Sequence, residues 1–478
     1  MTKKIYDIIV IGAGSGGLSI GLFMQQAGFS VLMVSRTAHE VGGDCLNDGC
    51  VPSKSLIHVS RIAHAAKMAA AFGLELTGKA DLKKAQQYVQ QRQAIIRAHE
   101  DVPYLEKQGI TMAIGKASFI NKQTIRVNDV QYEGKKIVIA TGSLPVKLKV
   151  PGSELVKYYD NKNVFDMQDL PAKLLIIGGG PIGIEMAQAF SRLGSSVTVV
   201  DMGPRILQHD DVSLAGILQE KLAAEGITFI MEAGVESFSS ATEGLLKFKT
   251  GETKSISFDT VFVGIGRRLE TESLQLENAG IQMKDKKIVK DDHLRTTNKN
   301  VFVCGDIAGD LMFSHAAEFH ARIILNNFFS PLKKKLDNRY MSWVTFTDPE
   351  LASFGLNEEQ LKKKNIAYLK LAQDFSDDDR AVTDNYRYAK TILYISKGGW
   401  LRKSKILGGS MLAPGAGELV QELILAMTAG LSIDKIFNKI YPYPTASRIN
   451  QQLITKHKSK SFTGTVKRLL RFIYKYFS

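Results

Sequence analysis

A strand, a glycine turn, a helix and a second strand occur twice in this chain at matching spacing. The first copy reads Ile8-Ile9-Val10-Ile11, then Gly12-Ala13-Gly14-Ser15-Gly16-Gly17, a helix stopping near Gly28, and Val31-Leu32-Met33-Val34. The second begins 166 positions later with Leu174-Leu175-Ile176-Ile177 and Gly178-Gly179-Gly180-Pro181-Ile182-Gly183. Its helix ends at Gly194, and Val197-Thr198-Val199-Val200 follows. Such a unit binds a dinucleotide: glycines permit the tight turn and the close approach of backbone, and the helix N-terminus faces a pyrophosphate. Both copies keep all three glycines, Gly12, Gly14 and Gly17 in one, Gly178, Gly180 and Gly183 in the other. Two dinucleotides are therefore expected, with one dinucleotide and a degenerate copy as the alternative.

The residue after each second strand is placed to meet an adenosine ribose. In the second copy it is Asp201, whose carboxylate suits a free 2′-hydroxyl and repels a 2′-phosphate. That favours NADH, while nearby Arg205 leaves NADPH open. The first copy has Ser35, a weaker hydrogen-bonding partner than a carboxylate.

Two of the three cysteines fall in Gly42-Gly43-Asp44-Cys45-Leu46-Asn47-Asp48-Gly49-Cys50-Val51-Pro52-Ser53-Lys54. A helical pattern follows from Ser55 to about Ala71, and Pro52 is tolerated in a first helical turn. Cys45 and Cys50 thus lie near a positive helix end, with Lys54 as a further cation, and such settings acidify thiols. The reading is a redox-active dithiol beside a flavin; two inert buried thiols are the alternative. A zinc site needs two more ligands, and the remaining cysteine is distant Cys304, so no metal is expected.

At 478 residues the chain exceeds one ordinary core. Three cysteines make no disulfide framework, which fits a reducing cytoplasm. Apolar residues at the N-terminus belong to the first glycine unit rather than to a signal peptide, and no apolar run spans a bilayer. The net charge is +14, but seven Lys or Arg and no acid lie between Thr455 and Ser478. Half of the excess is local, so no nucleic-acid partner is inferred.

Residues 80–107 read as a long polar helix, an exposed arm. Ile137-Val138-Ile139-Ala140-Thr141-Gly142-Ser143 reads as a strand entering a turn, and Thr297 to Asp306 as a strand ending in Gly305-Asp306. From about Tyr340 the pattern turns β-rich, then to an apolar helix from Glu418 to Met427, which marks a further domain.

Together these residues resemble the pyridine nucleotide-disulfide oxidoreductases of the dihydrolipoamide dehydrogenase, glutathione reductase and mercuric reductase kind. The segment Gly42 to Lys54, both glycine turns, Ala140-Thr141-Gly142, Gly264-Ile265-Gly266-Arg267-Arg268, Cys304-Gly305-Asp306 and Phe346-Thr347-Asp348-Pro349-Glu350 carry the resemblance as far as about residue 452. It implies an α/β fold with two Rossmann-like dinucleotide-binding domains, for FAD and NAD, and a C-terminal α+β dimerisation domain. The boundaries are 1–149 and 270–338 for the FAD domain, 150–269 for the NAD(P) domain, 339–454 for the dimerisation domain and 455–478 for a basic tail. FAD is implied on the first glycine unit and NADH or NADPH on the second, with Gly43, Ala140, Thr141, Gly142, Gly266 and Asp306 among the cofactor contacts. Asp306 would meet the ribityl chain, and a Lys54–Glu185 ion pair would stand beside the flavin ring. Cys50 would be the flavin-proximal thiol, Cys45 the interchange thiol, and the assembly a homodimer. Electrons would pass from NADH through FAD to the Cys45–Cys50 disulfide and on to a disulfide or other thiol-reactive acceptor.

Two stretches depart from the family pattern. Where disulfide-reducing members carry a histidine and a glutamate near the C-terminus, this chain has Tyr443 and Arg448. A tyrosine is a poor base at neutral pH, so the pair is expected to stabilise thiolates rather than move protons; interface packing is the alternative. In the tail, Val466, Leu469, Leu470, Ile473 and Phe477 recur at helical spacing, with Lys467, Arg468, Arg471 and Lys475 largely on other faces. A basic amphipathic helix over 466–477 suggests peripheral contact with an anionic membrane, at its inner face for a cytoplasmic protein. The rival functions are a membrane-surface NADH:acceptor reductase of quinone type, in which the dithiol is secondary, and a non-catalytic flavoprotein module.

Overall fold

The computed structural model describes residues 5–75, 77–398, 403–460 and 462–477. The chain divides into two compact units. One comprises the residues up to Pro204 together with Glu225–Asp337; the other comprises Arg205–Ala224 and the residues from Asn338 onward.

In the first unit, Ile5–Ile11 lies between Val31–Ser35 and Val130–Ile139, parallel to both, with Ile9 opposite Leu32 on one side and Ile137 on the other. Thr111–Ile114 extends this sheet beyond Val31–Ser35, and Val301–Val303 pairs with the end of Val130–Ile139. Ile8, Ile9 and Val10 are fully buried, as expected of a strand covered on both faces. Helix Ser15–Gln26 follows the first glycine turn. The second glycine unit builds its own parallel sheet, in the order Thr228–Ile230, Ser196–Val200, Lys173–Ile177, Thr260–Val263, Tyr158–Tyr159. Helix Pro181–Leu193 packs on it and opens with Pro181, whose missing N–H costs nothing in a first turn.

The second unit holds a five-stranded antiparallel sheet. Its order is Ser342–Thr345, Glu350–Gly355, Ile406–Ala413, Lys390–Ser396, Tyr368–Asp374. Helix Val212–Ala224, although between parts of the second glycine unit in sequence, clusters with this unit. The architecture is thus α/β, with two Rossmann-like halves and a C-terminal α+β region, as the sequence implies.

Three elements differ from expectation. Residues 80–107 form two helices, Leu82–Arg97 and Val102–Lys107, the first N-capped by Asp81, which accepts from the Lys83 and Lys84 amides. The longer one is no free arm, because Leu82, Ala85, Gln86 and Val89 are buried. The single helix expected at 418–427 is broken at Val420 into Ala416–Leu419 and Gln421–Thr428. The helix expected from Ser55 begins earlier, at Cys50, and runs to Met68.

Candidate functional site

Cys45 lies in the short helix Gly43–Asn47, and Cys50 is the first residue of helix Cys50–Met68. Gly43 has φ +65°, and a Cβ there would meet the Gly14 Cα at 2.5 Å. Only glycine allows that approach, which sets the dithiol segment directly on the first glycine turn. Helix Leu82–Arg97 braces the same segment from outside. Gln93 Nε2 donates to the Leu46 and Asn47 carbonyls at 2.9 and 2.8 Å, and Arg97 Nη2 donates to Asn47 Oδ1 at 2.5 Å.

The two thiols differ. Hydrogen bonding from Cys45 lowers Cys50 to a pKa of about 6, with Ser314 and Lys54 acting in the same sense and burial against them. Cys45 is pushed well up by its Cys50 partner and by burial. Of the two, Cys50 is the more readily ionised. The Cys50 Sγ is 3.5 Å from Ser314 Oγ, and Ser314 is itself the first residue of helix Ser314–Phe329. Two helix N-termini thus meet at one sulfur, which favours its anionic form.

Lys54 Nζ stands 2.8 Å from Glu185 Oε2, and Glu185 is almost wholly buried. This pair joins the dithiol helix to helix Pro181–Leu193 of the second glycine unit. A polar chain runs the other way from the dithiol. Asp44 pairs with Arg267, whose Nε donates to Ser143 Oγ at 2.7 Å, and Ser143 Oγ donates to Asp306 Oδ2 at 2.5 Å. Lys162 Nζ holds Asp44 and Asp48 at 2.5 and 2.6 Å. Burial raises the Asp306 carboxyl above its usual range, against the pull of Ser143 and Arg267.

The glycine turns leave room for ligands. Gly12 and Gly178 both have φ +112°, and a Cβ on either would strike backbone, at Ala140 and Gly264 respectively. At Gly180, by contrast, a Cβ would have nothing within 4 Å, and Gly142 (φ +71°) and Gly266 (φ +116°) are equally open. Backbone N–H groups at a helix start beside open space suit a dinucleotide phosphate. Ala140 donates its amide to the Ile11 carbonyl at 2.7 Å, which fixes the Ala140-Thr141-Gly142 turn against the first strand. Ser35 is buried, and its hydroxyl donates to the Thr37 carbonyl at 2.8 Å. Asp201 accepts from the Gly179 and Gly203 amides at 2.6 and 2.7 Å, so it also shapes the turn it borders. Arg205 donates to the carbonyls of Ile206, Leu207, Gln208 and Asp210.

Tyr443 and Arg448 come together in the second unit. The Arg448 guanidinium lies over the Tyr443 ring at 5.2 Å, and Tyr443 Oη donates to Asp379 Oδ2 at 3.0 Å. Asp379 pushes the Tyr443 phenol up. It therefore stays protonated and donates.

Sequence reasoning missed Ser314, Asp44 with Arg267, the Gln93–Arg97 brace and Asp379. Ser314 alone carried a local signal, a serine opening an apolar helical stretch just after Asp306. Among the described residues no cluster of three or more His, Cys, Asp or Glu could hold a metal ion, and no helix is long and apolar enough to cross a membrane.

Residues 6–321 match the family model for pyridine nucleotide-disulphide oxidoreductases, and residues 341–453 match the dimerisation domain of that family. A mercuric reductase of Staphylococcus aureus is 30% identical over 448 residues, covering 92% of this chain and 80% of that protein. A dihydrolipoyl dehydrogenase of Thermus scotoductus is 32% identical over 453 residues, covering 93% and 95%. Among solved structures, the HOCl-induced flavoprotein disulfide reductase RclA of Escherichia coli superposes with a TM-score of 0.82 at 26% identity, covering 94% of this chain and 99% of that one. RclA has also been solved as a Cu(II) complex, with a TM-score of 0.81. Members of the family use FAD and NAD(P)H. With both of its parts matched by the family's own domains, this chain belongs to the pyridine nucleotide-disulphide oxidoreductases.

Proposed function

We propose that the chain is a cytoplasmic, homodimeric oxidoreductase that takes electrons from NADH and delivers them through Cys45 and Cys50 to a disulfide or other thiol-reactive acceptor. Bound FAD supplies the conversion of a hydride into a dithiol's two electrons. The first glycine turn, Gly43, Ala140-Thr141-Gly142 and Asp306 would hold it, with the Lys54–Glu185 pair beside its ring. Gly178, Gly180, Gly183, Gly266 and Asp201 would hold the nicotinamide coenzyme, the Asp201 carboxylate favouring NADH. The observation that carries the reading is Cys50, which opens its helix 3.5 Å from Ser314 Oγ in a segment seated on the first glycine turn through Gly43. With Cys50 as the flavin-proximal sulfur, Cys45 would be the group that meets the acceptor. Relatives named mercuric reductase support a soft, thiol-reactive acceptor.

Anaerobic NADH titration of the purified protein should bleach bound flavin and produce a long-wavelength thiolate-to-flavin absorbance. A screen of disulfides, mercuric ion and quinones then names the acceptor class. Cys45→Ser should abolish acceptor reduction. Survival of quinone reduction in that variant would favour the rival, a membrane-surface NADH:acceptor reductase.

One observation keeps membrane contact in view. Helix Gly464–Phe477 exposes Leu469, Leu470, Phe472 and Ile473 beside Lys467, Arg468, Arg471 and Lys475, and it lies beyond both family matches. The Phe477 side chain lies outside the described residues. An apolar stripe flanked by cations suits the headgroup region of an anionic leaflet. Vesicles containing phosphatidylserine should sediment the full chain but not one truncated before Gly464; equal sedimentation would remove this reading.

A further inference from the structure

Helix Ser314–Phe329 meets the dithiol with its first residue and, one to two turns further on, grips Cys304-Gly305-Asp306. The Cys304 thiol donates to the Ala317 carbonyl at 3.3 Å, and a Cβ on Gly305 would meet the Ala317 Cβ at 3.1 Å. The Gly305 amide donates to His320 Nδ1 at 3.2 Å. Ala317 and His320 are three positions apart and so lie on one face of the helix. Gly305 is buried and holds φ +78°. Asp306 follows directly. Its backbone carbonyl accepts from the Gly309 amide at 2.8 Å, and its carboxylate accepts from Ser143.

His320 is completely buried, and no step described above uses it. A backbone amide can only donate, so Nδ1 carries no proton and the neutral ring holds its proton on Nε2. Among the described residues Nε2 meets no hydrogen-bond partner. Burial lowers the imidazole to about 4, with Asp310 opposing and Lys290 acting in the same sense, so the ring is neutral at physiological pH. An unpartnered buried donor is unfavourable, and an apolar side chain of similar volume would avoid it. An apolar side chain could not, however, accept from Gly305. Without Nδ1, that amide would be a buried orphan immediately before Asp306, and the peptide plane that sets the direction of Asp306 would turn to find another acceptor.

We propose that His320 is the positioning residue for Asp306 and, through it, for FAD. Nδ1 fixes the Gly305 amide and with it the direction in which the Asp306 carboxylate is presented to the ribityl hydroxyls. This rests on the assignment of Asp306 to FAD made above. The role belongs to one atom: an acceptor at the place of Nδ1 preserves it, and an acceptor at the place of Nε2 does not. An asparagine amide reaches the former place and a glutamine amide the latter.

The full-length, FAD-loaded protein is equilibrated against FAD at decreasing concentration, and the retained flavin is read by its absorbance. His320→Gln should weaken FAD about tenfold, the loss of one buried hydrogen bond. His320→Asn should stay within about threefold of the wild-type chain. In an Asp306→Ala background the difference between the two variants should vanish, because His320 acts through Asp306. Unchanged affinity in His320→Gln, or equal losses in both variants, overturns the proposal. So does a His320→Gln loss that persists undiminished in the Asp306→Ala background, which would mark a packing role. If His320→Gln does not fold, His320→Asn serves alone: FAD affinity near that of the wild-type chain supports the role, and a tenfold loss overturns it. If Asp306→Ala by itself holds FAD as tightly as the wild-type chain, the assignment of Asp306 to FAD fails and takes the proposal with it.

Discussion

In the first glycine unit a Cβ on Gly17 would lie 1.9 Å from the Gly12 carbonyl oxygen; in the second, a Cβ on Gly183 would lie 2.0 Å from that of Gly178. The same crossing of helix start and strand end is made twice, with the same φ of +112° at the leading glycine. What differs is the side chain at the end of the second strand. Ser35 donates to Thr37 and leaves its own glycine turn alone, whereas Asp201 takes the Gly179 amide. The first turn receives its extra support from elsewhere in the chain, from Gly43 pressed on Gly14. One unit is therefore finished by the dithiol segment and the other by a carboxylate of its own. Backbone packing is common to both, and chemical identity is not.

The sharpest way to break that equivalence is to place a methyl group at the crossing. Gly17→Ala and Gly183→Ala should each cost at least about 4 kcal/mol, read as a lowered denaturant midpoint or as failure to accumulate folded protein. If one variant keeps wild-type stability, the two crossings are not the same structure. The next largest effect concerns the link between the units. Glu185→Ala leaves Lys54 without its carboxylate, and one partner lost from a part-buried pair costs about 2 kcal/mol after allowing for the exposure of Lys54. Removal of that negative charge should also lower the pH at which the Cys50 thiolate absorbance appears, since Glu185 opposes the Cys50 thiolate. Loss of stability without that spectral shift would mean the pair serves packing alone.

Both crossings were legible in the sequence, because three glycines between a four-residue apolar run and a helix leave few other conformations. So was the nearness of Cys50 to a helix start, with Pro52 and Lys54 beside it, although the helix opens at Cys50 itself rather than at Ser55. Ser314 was not, because it reaches Cys50 across 264 positions. Local periodicity carries no information about which helix start the sheet order brings to a given sulfur. Asp44 and Arg267 were hidden for the same reason, 223 positions apart. The break at Val420 lay inside an apolar run whose composition favours helix throughout, and tertiary packing overrides so weak a propensity. The brace from Gln93 and Arg97 was read as solvated surface, since polar side chains that bond to a neighbouring turn look like polar side chains facing water.

Exchanging the closing side chains sharpens the comparison further. Asp201→Ser gives the second unit the residue of the first, and it removes both the Gly179 bond and the carboxylate proposed for the ribose. KM for NADH should rise about tenfold, the equivalent of one charge-assisted hydrogen bond, and the preference for NADH over NADPH should narrow. If KM is unchanged, Asp201 serves only the turn.

The smallest effect lies at the start of the first unit, where Asp7 closes the strand pair. Its carboxylate accepts from Lys135, from the Ser30 amide and from the Ser30 hydroxyl, and these bonds lower its pKa from 3.8 to about 2. Because the folded value lies below the unfolded one, Asp7 adds stability that is complete above pH 4 and is lost as pH falls through about 2. The side chain is 29% exposed, so solvent screening reduces the contribution to about 1 kcal/mol. Asp7→Asn should therefore lower the urea midpoint at pH 7, and roughly half of that difference should persist at pH 3. A difference that stays constant between these two pH values would assign the loss to the altered Ser30 turn rather than to the charge.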